Sequence, residues 1–161
     1  MIPPAEARAF LAELDAALPA SPQPAALAMR LIAVRFPHYR WVGVYWLEGD
    51  VLVLGPYVGA ATEHDRIAVG QGVCGTAVAE NKNQVIADVR AVANYLACSV
   101  ETRSEIVVLI RQSGQVIGQI DADGHEVGAF DMSDEALLME VAERLAQVET
   151  NRGVAETRRE D

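Results

Sequence analysis

The sequence predicts an α+β fold with a central antiparallel sheet, and three observations lead there. Apolar residues recur at helical spacing near both ends of the chain. Two inner stretches switch to strand-like runs, each broken by a short turn. The segment between those stretches, Gly59 to Ser104, sustains no apolar period. N- and C-terminal helices therefore group on one face of the sheet, and the aperiodic middle builds a ligand pocket on the other.

Pro3-Pro4 opens the first helix, because proline suits a first turn whose N–H groups have no helical partner. Phe10, Leu11, Leu14, Ala17 and Leu18 give it an apolar face, and Pro19-Ala20-Ser21-Pro22 ends it. Ser21 is the expected cap of a second helix, which carries Leu27, Leu31, Ile32 and Val34 on one face and stops before Pro37. Trp41 to Leu47, a Gly49-Asp50 turn and Val51 to Gly55 form a hairpin. A polar loop from Ala60 to Arg66 leads to Gly70 and Gly72 and a short helix over Val73 to Glu80. Gln84 to Ala87 is a brief strand, and Asp88 to Arg103 is a long connection of the kind that tends to carry function. Ile106 to Ile110, a turn at Gln112-Ser113-Gly114 and Val116 to Ile120 make a second hairpin. Asp131-Met132-Ser133 caps a last helix with Leu137, Leu138, Val141, Leu145 and Val148 on its apolar face. The organisation expected is one domain over residues 1–150 and a disordered charged tail over 151–161.

Composition narrows the function classes. A net charge of −10 argues against nucleic acid and against anionic lipid surfaces, both of which need clustered Lys and Arg. No apolar run approaches membrane-spanning length, and the first residues lack the basic and apolar regions of a secretory signal, so a cytoplasmic location is expected. No Cys or His stands at metal-ligand spacing, so neither a zinc site nor another resident cofactor is expected. Gly70-Gln71-Gly72 lacks the lysine and strand–helix context of a phosphate loop.

The chain has two cysteines, and both lie in the aperiodic middle. Cys74 follows Gly70-Gln71-Gly72-Val73 at the start of the short helix, where the amides of the first turn favour a thiolate. Cys98 follows Tyr95-Leu96-Ala97 in the long connection. Glu105 starts one strand of the second hairpin. Asp121 and Asp123, two apart on the other strand, face the same side. Thiols beside clustered carboxylates are the ingredients of redox chemistry on a small cationic or zwitterionic substrate. Close carboxylates raise one another's pKa, so one of them can hold a proton near neutral pH.

These residues carry a resemblance. Gly70-Gln71-Gly72-Val73-Cys74-Gly75-Thr76-Ala77, then Ala97-Cys98, then Ser104-Glu105-Ile106-Val107-Val108, then Asp121-Ala122-Asp123 together resemble the GAF-domain free methionine-(R)-sulfoxide reductases. Trp41-Val42-Gly43-Val44-Tyr45 and Leu54-Gly55-Pro56-Tyr57 support the likeness, which runs from about Ala25 to Val148. It implies a GAF-like fold and reduction of the free amino acid sulfoxide. Cys98 is then the nucleophile on sulfur, and Glu105, Asp121 and Asp123 hold the substrate. Thioredoxin is the implied electron donor, and a homodimer paired through terminal helices is the implied assembly.

The chain departs from the family pattern at His64, where members commonly carry a third, resolving cysteine. Resolution then falls to Cys74, to a small external thiol, or to no group. Leu109, Ala122 and Gly124 replace a usual proline, isoleucine and serine, and Ala93-Asn94-Tyr95-Leu96 replaces a usual Pro-Gly-His-Ile. The competing readings are a noncatalytic GAF module that senses a small ligand and a degenerate family member that only binds amino acids.

Overall fold

The computed structural model describes residues 1–96 and 99–157. Eleven segments follow in chain order. They are α1 (Pro4–Ala17), α2 (Pro24–Arg35), β1 (Trp41–Glu48), β2 (Val51–Val58), β3 (Arg66–Ala68), α3 (Gly72–Glu80), β4 (Gln84–Ile86), a 3-10 turn at Val89–Ala91, β5 (Ser104–Gln112), β6 (Gln115–Gly124) and α4 (Met132–Thr157). The strands form one sheet in the order β3-β2-β1-β6-β5-β4, with every neighbouring pair antiparallel. This is the expected α+β arrangement.

Alternation along the three central strands sorts the side chains into two layers. Val42 and Val44 of β1, Ile106, Val108 and Ile110 of β5, and Ile120 and Ala122 of β6 face Phe10 and Leu14 of α1, Met29 and Ile32 of α2, and Leu137, Leu138, Val141 and Leu145 of α4. Each large apolar side chain buried there contributes roughly 1.5–3 kcal/mol. The opposite face presents Trp41, Tyr45, Val107 and Leu109, covered by Val73, Cys74 and Ala77 of α3.

Local chemistry fixes the joints. Gln112 pairs with Gln115, and both intervening residues, Ser113 at φ +51 and Gly114 at φ +79, are left-handed. Two positive φ values in a two-residue loop match the twist of the flanking strands. Asp131 caps α4 as expected: its Oδ1 accepts from Ser133 N at 2.8 Å, while Asp134 Oδ2 accepts from Asp131 N at 2.9 Å. Two N–H groups that the helix itself cannot satisfy are thus paired.

Three expectations need correcting. Ser21 does not cap α2: its hydroxyl accepts from Gln23 N, Gln23 holds the cap position, and Pro24 opens the helix without an N–H to satisfy. Val34 lies 82% exposed, because α2 turns Ala28, Met29 and Ile32 inward instead. The polar loop before Gly70 ends in β3, which pairs with Val51 to Val53. Helical backbone of α4 continues to Thr157. No helix among the described residues is long and apolar enough to cross a membrane.

Candidate active site

The face covered by α3 carries the candidate site. Antiparallel register sets Glu105 of β5 opposite Asp123 of β6, and Asp121 lies one pleat along on the same side. Gly43 of β1 is opposite Asp121 and Trp41 is opposite Asp123. Above this floor, the first turn of α3 places Cys74 with its Sγ–H donating toward Glu105 Oε1 at 3.7 Å. One donor atom each from Cys74, Glu105 and Asp121 lie within 4.8 Å of one another. Sequence spacing gave no hint of such a donor set, because its members come from three elements.

All three acids are buried, with Asp121 at 0%, Asp123 at 2% and Glu105 at 3% exposure. Neither oxygen of Asp121 or Asp123 has a hydrogen-bond partner of good geometry among the described residues. What lies against Asp121 is Glu105, a second acid, so a hydrogen bond between the two exists only while one of them holds a proton. Burial pushes Glu105 well above the usual carboxylate range, and the charges of Asp121 and Asp123 push it further. Asp123 is raised by burial and then by Asp121. Burial lifts Asp121 to about 6, while the nearby Glu105, Cys74 and Ala122 backbone N–H hold it down. Burial and mutual repulsion therefore disfavour the charged forms of Glu105 and Asp123.

The long connection folds over α3. Asn94 Nδ2 donates to Gly70 O at 3.1 Å, and Arg103 N donates to Gly124 O at 2.9 Å. Leu96 closes on Gly72: a Cβ at that glycine would lie 2.9 Å from Leu96 Cγ, and Gly72 also holds φ +63. Only glycine suits both demands. Cys98, the expected nucleophile, lies outside the described residues, between Leu96 and Ser99.

The aromatic residues form a wall beside the acids. Trp41 and Tyr57 stack with ring centroids 5.3 Å apart, Trp41 Nε1 donates to Ala60 O at 3.0 Å, and Tyr45 Oη donates to His64 O at 2.7 Å. His64 is thus tied to Tyr45 through its carbonyl.

Sequence reasoning missed two features. Gln119, two residues before Asp121, is fully buried on the same face. Its polarity within an inward-facing run was the available signal. On the helical face, His38 Nε2 lies 2.6 Å from Asp134 Oδ1, which also accepts from Tyr39 Oη at 2.9 Å. The neighbouring Glu135 accepts from Asn83 Nδ2 at 3.2 Å. Asp134 and Glu135 are in the first turn of α4, as expected, and also tie that helix to the segments that lead into β1 and β4.

The GAF domain profile matches residues 25–148. A free methionine-R-sulfoxide reductase of Escherichia coli (strain K12) is 42% identical over 118 residues, covering 73% of this chain and 71% of that protein. This chain belongs to the GAF-domain free methionine-R-sulfoxide reductase family. Among solved relatives, the free methionine-R-sulfoxide reductase of Neisseria meningitidis, determined in complex with its substrate, aligns with a TM-score of 0.87 at 33% identity, covering 93% of this chain and 92% of that one. A type II free methionine-R-sulfoxide reductase of Thermoplasma acidophilum aligns with a TM-score of 0.75 at 35% identity, covering 86% of this chain and 94% of that one. The family's GAF fold agrees with the architecture described above.

Proposed function

We propose that this protein reduces free methionine-(R)-sulfoxide to methionine at the thiol–carboxylate site. The observation that carries the reading is three buried acids with no ion pair among the described residues, one of them in contact with Cys74, in a member of this family. Such a cluster suits a small ligand that brings its own positive charge. Asp121 takes the ammonium of the amino acid, since it holds its proton least firmly of the three. Glu105, kept protonated by burial, donates to the sulfoxide oxygen and raises the electrophilicity of sulfur.

The Cys98 thiolate attacks sulfur, the sulfur–oxygen bond of the substrate breaks, and the oxygen stays with Cys98 as a sulfenic acid while methionine leaves. The Cys74 thiol then displaces water to form a Cys74–Cys98 disulfide. A dithiol of the thioredoxin class supplies the two electrons that restore both thiols. The balance is one sulfoxide and one dithiol consumed for one methionine, one disulfide and one water.

The test is NADPH oxidation coupled through thioredoxin and its reductase, with the free R form, the free S form and a peptide-bound sulfoxide offered separately. Turnover of the free R form alone, abolished in Cys98→Ser and carried on only with small-molecule thiols in Cys74→Ser, is the expected result. Absence of turnover with any thiol reductant in folded protein would overturn the reading.

A further inference from the structure

Gln119 is 0% exposed on β6, between Tyr45 of β1 and Leu109 of β5 in the register. Alternation puts it on the same face as Asp121 and Asp123, one pleat beyond Asp121. Neither Oε1 nor Nε2 has a hydrogen-bond partner among the described residues. A buried amide with no partner at either atom is costly, whereas an apolar side chain of the same shape would fill the space without that cost. An amide here is therefore a group awaiting a ligand.

What it awaits follows from its two atoms. Oε1 accepts and Nε2 donates, so the matching group presents a donor and an acceptor side by side. A sulfoxide oxygen only accepts and would satisfy one atom. The head group of an amino acid, ammonium beside carboxylate, satisfies both. The neighbouring Asp121 supplies a carboxylate for the same ammonium, and a neutral amide can donate to the ligand's carboxylate where a fourth acid would repel it. Residues two apart on a strand are roughly 6.6–6.8 Å apart. An amino acid sulfoxide spans roughly 6 Å from ammonium nitrogen to sulfoxide oxygen when extended. With the head group between Gln119 and Asp121, its oxygen reaches toward Asp123 and Glu105.

We infer that Gln119 is a further substrate-binding residue that grips the ammonium and carboxylate of the free amino acid. It thereby selects a free amino acid over the same residue inside a peptide. The inference rests on the function proposed above and adds the residue that reads the head group.

Gln119→Met keeps the length and removes both hydrogen-bonding atoms. The variant is expected to raise KM for the free sulfoxide and Kd for methionine together, each by about threefold to tenfold per neutral hydrogen bond lost. Its kcat stays within about twofold, because Glu105 and the thiols are untouched. Folded Gln119→Met with unchanged KM and unchanged methionine affinity would overturn the inference while leaving the function standing. A loss confined to the sulfoxide, with methionine bound as before, would also overturn it, because Gln119 would then read the oxygen. Should Gln119→Met fail to fold, the isosteric Gln119→Glu serves, with weaker binding of both amino acids expected from repulsion of the carboxylate. If the wild type reduces no sulfoxide, the functional reading falls. Calorimetric titration of both proteins with methionine and its sulfoxide then decides Gln119 separately, and wild type that binds neither amino acid defeats both.

Discussion

The two faces of the sheet solve opposite problems. On the helical face, apolar side chains of α1, α2 and α4 interlock with Val44, Ile106 and Ile120, and the buried Asp134 has Tyr39 Oη, the Asp131 N–H and His38 against it. On the face under α3, Asp121, Asp123 and Gln119 are as deeply buried and have no hydrogen-bond partner of good geometry among the described residues. Adjacent positions of one strand, Ile120 and Asp121, thus belong to different regimes. The contrast teaches where stability and where activity reside. One face holds the domain together, and the other keeps polar groups unsatisfied until a ligand arrives.

The largest effect that can sharpen this contrast is on turnover. Asp121→Asn removes the charge proposed to meet the ammonium, and Glu105→Gln removes the proposed proton donor. Each is expected to lower kcat/KM for the free sulfoxide by about 100-fold or more, read by steady-state kinetics. The same Asp121→Asn protein should be more stable than wild type at pH 7, by about 1–2 kcal/mol in urea unfolding, since a buried anion is replaced by a neutral group. An equal loss of stability and activity would erase the distinction between the faces.

A smaller effect of opposite sign is expected across the sheet. Tyr39→Phe deletes a donor to the buried Asp134 and should cost about 1 kcal/mol in urea unfolding, with kcat/KM unchanged. A change in kcat/KM with no loss of stability would place Tyr39 in the wrong regime.

Much of this was legible in the sequence because the relevant signals are local. Alternation with Gly49-Asp50 and Ser113-Gly114 fixed the two hairpins. The Asp121 and Asp123 pair followed from the two-residue strand period. What was not legible depends on contacts between distant segments. β3 is three residues long, too short to show a period, and exists through its pairing with β2. Val34 sits on an apolar stripe of α2 but faces solvent, because the sheet meets Ala28 and Met29 instead. The contact of Cys74 with Glu105 joins α3 to β5, and that of His38 with Asp134 joins positions 96 apart. Neither leaves a mark in local spacing.

The central claim is that the face under α3 holds unsatisfied acids at a cost in stability, and the pH dependence of unfolding without ligand tests it most directly. Asp121, Glu105 and Asp123 all have folded-state pKa values above their unfolded ones. A raised acid binds its proton more tightly in the folded state, so its stabilising contribution is complete below the unfolded value near 4 and is lost as pH rises. For Asp121 that loss runs up to about 6, and for the other two it extends higher. Urea unfolding of wild type and Asp121→Asn, from about pH 4.5 to pH 7.5, should show the variant gaining on the wild type as pH rises, with most of the gain complete by about pH 7. Parallel curves, or a wild type that gains on the variant with rising pH, would contradict the account.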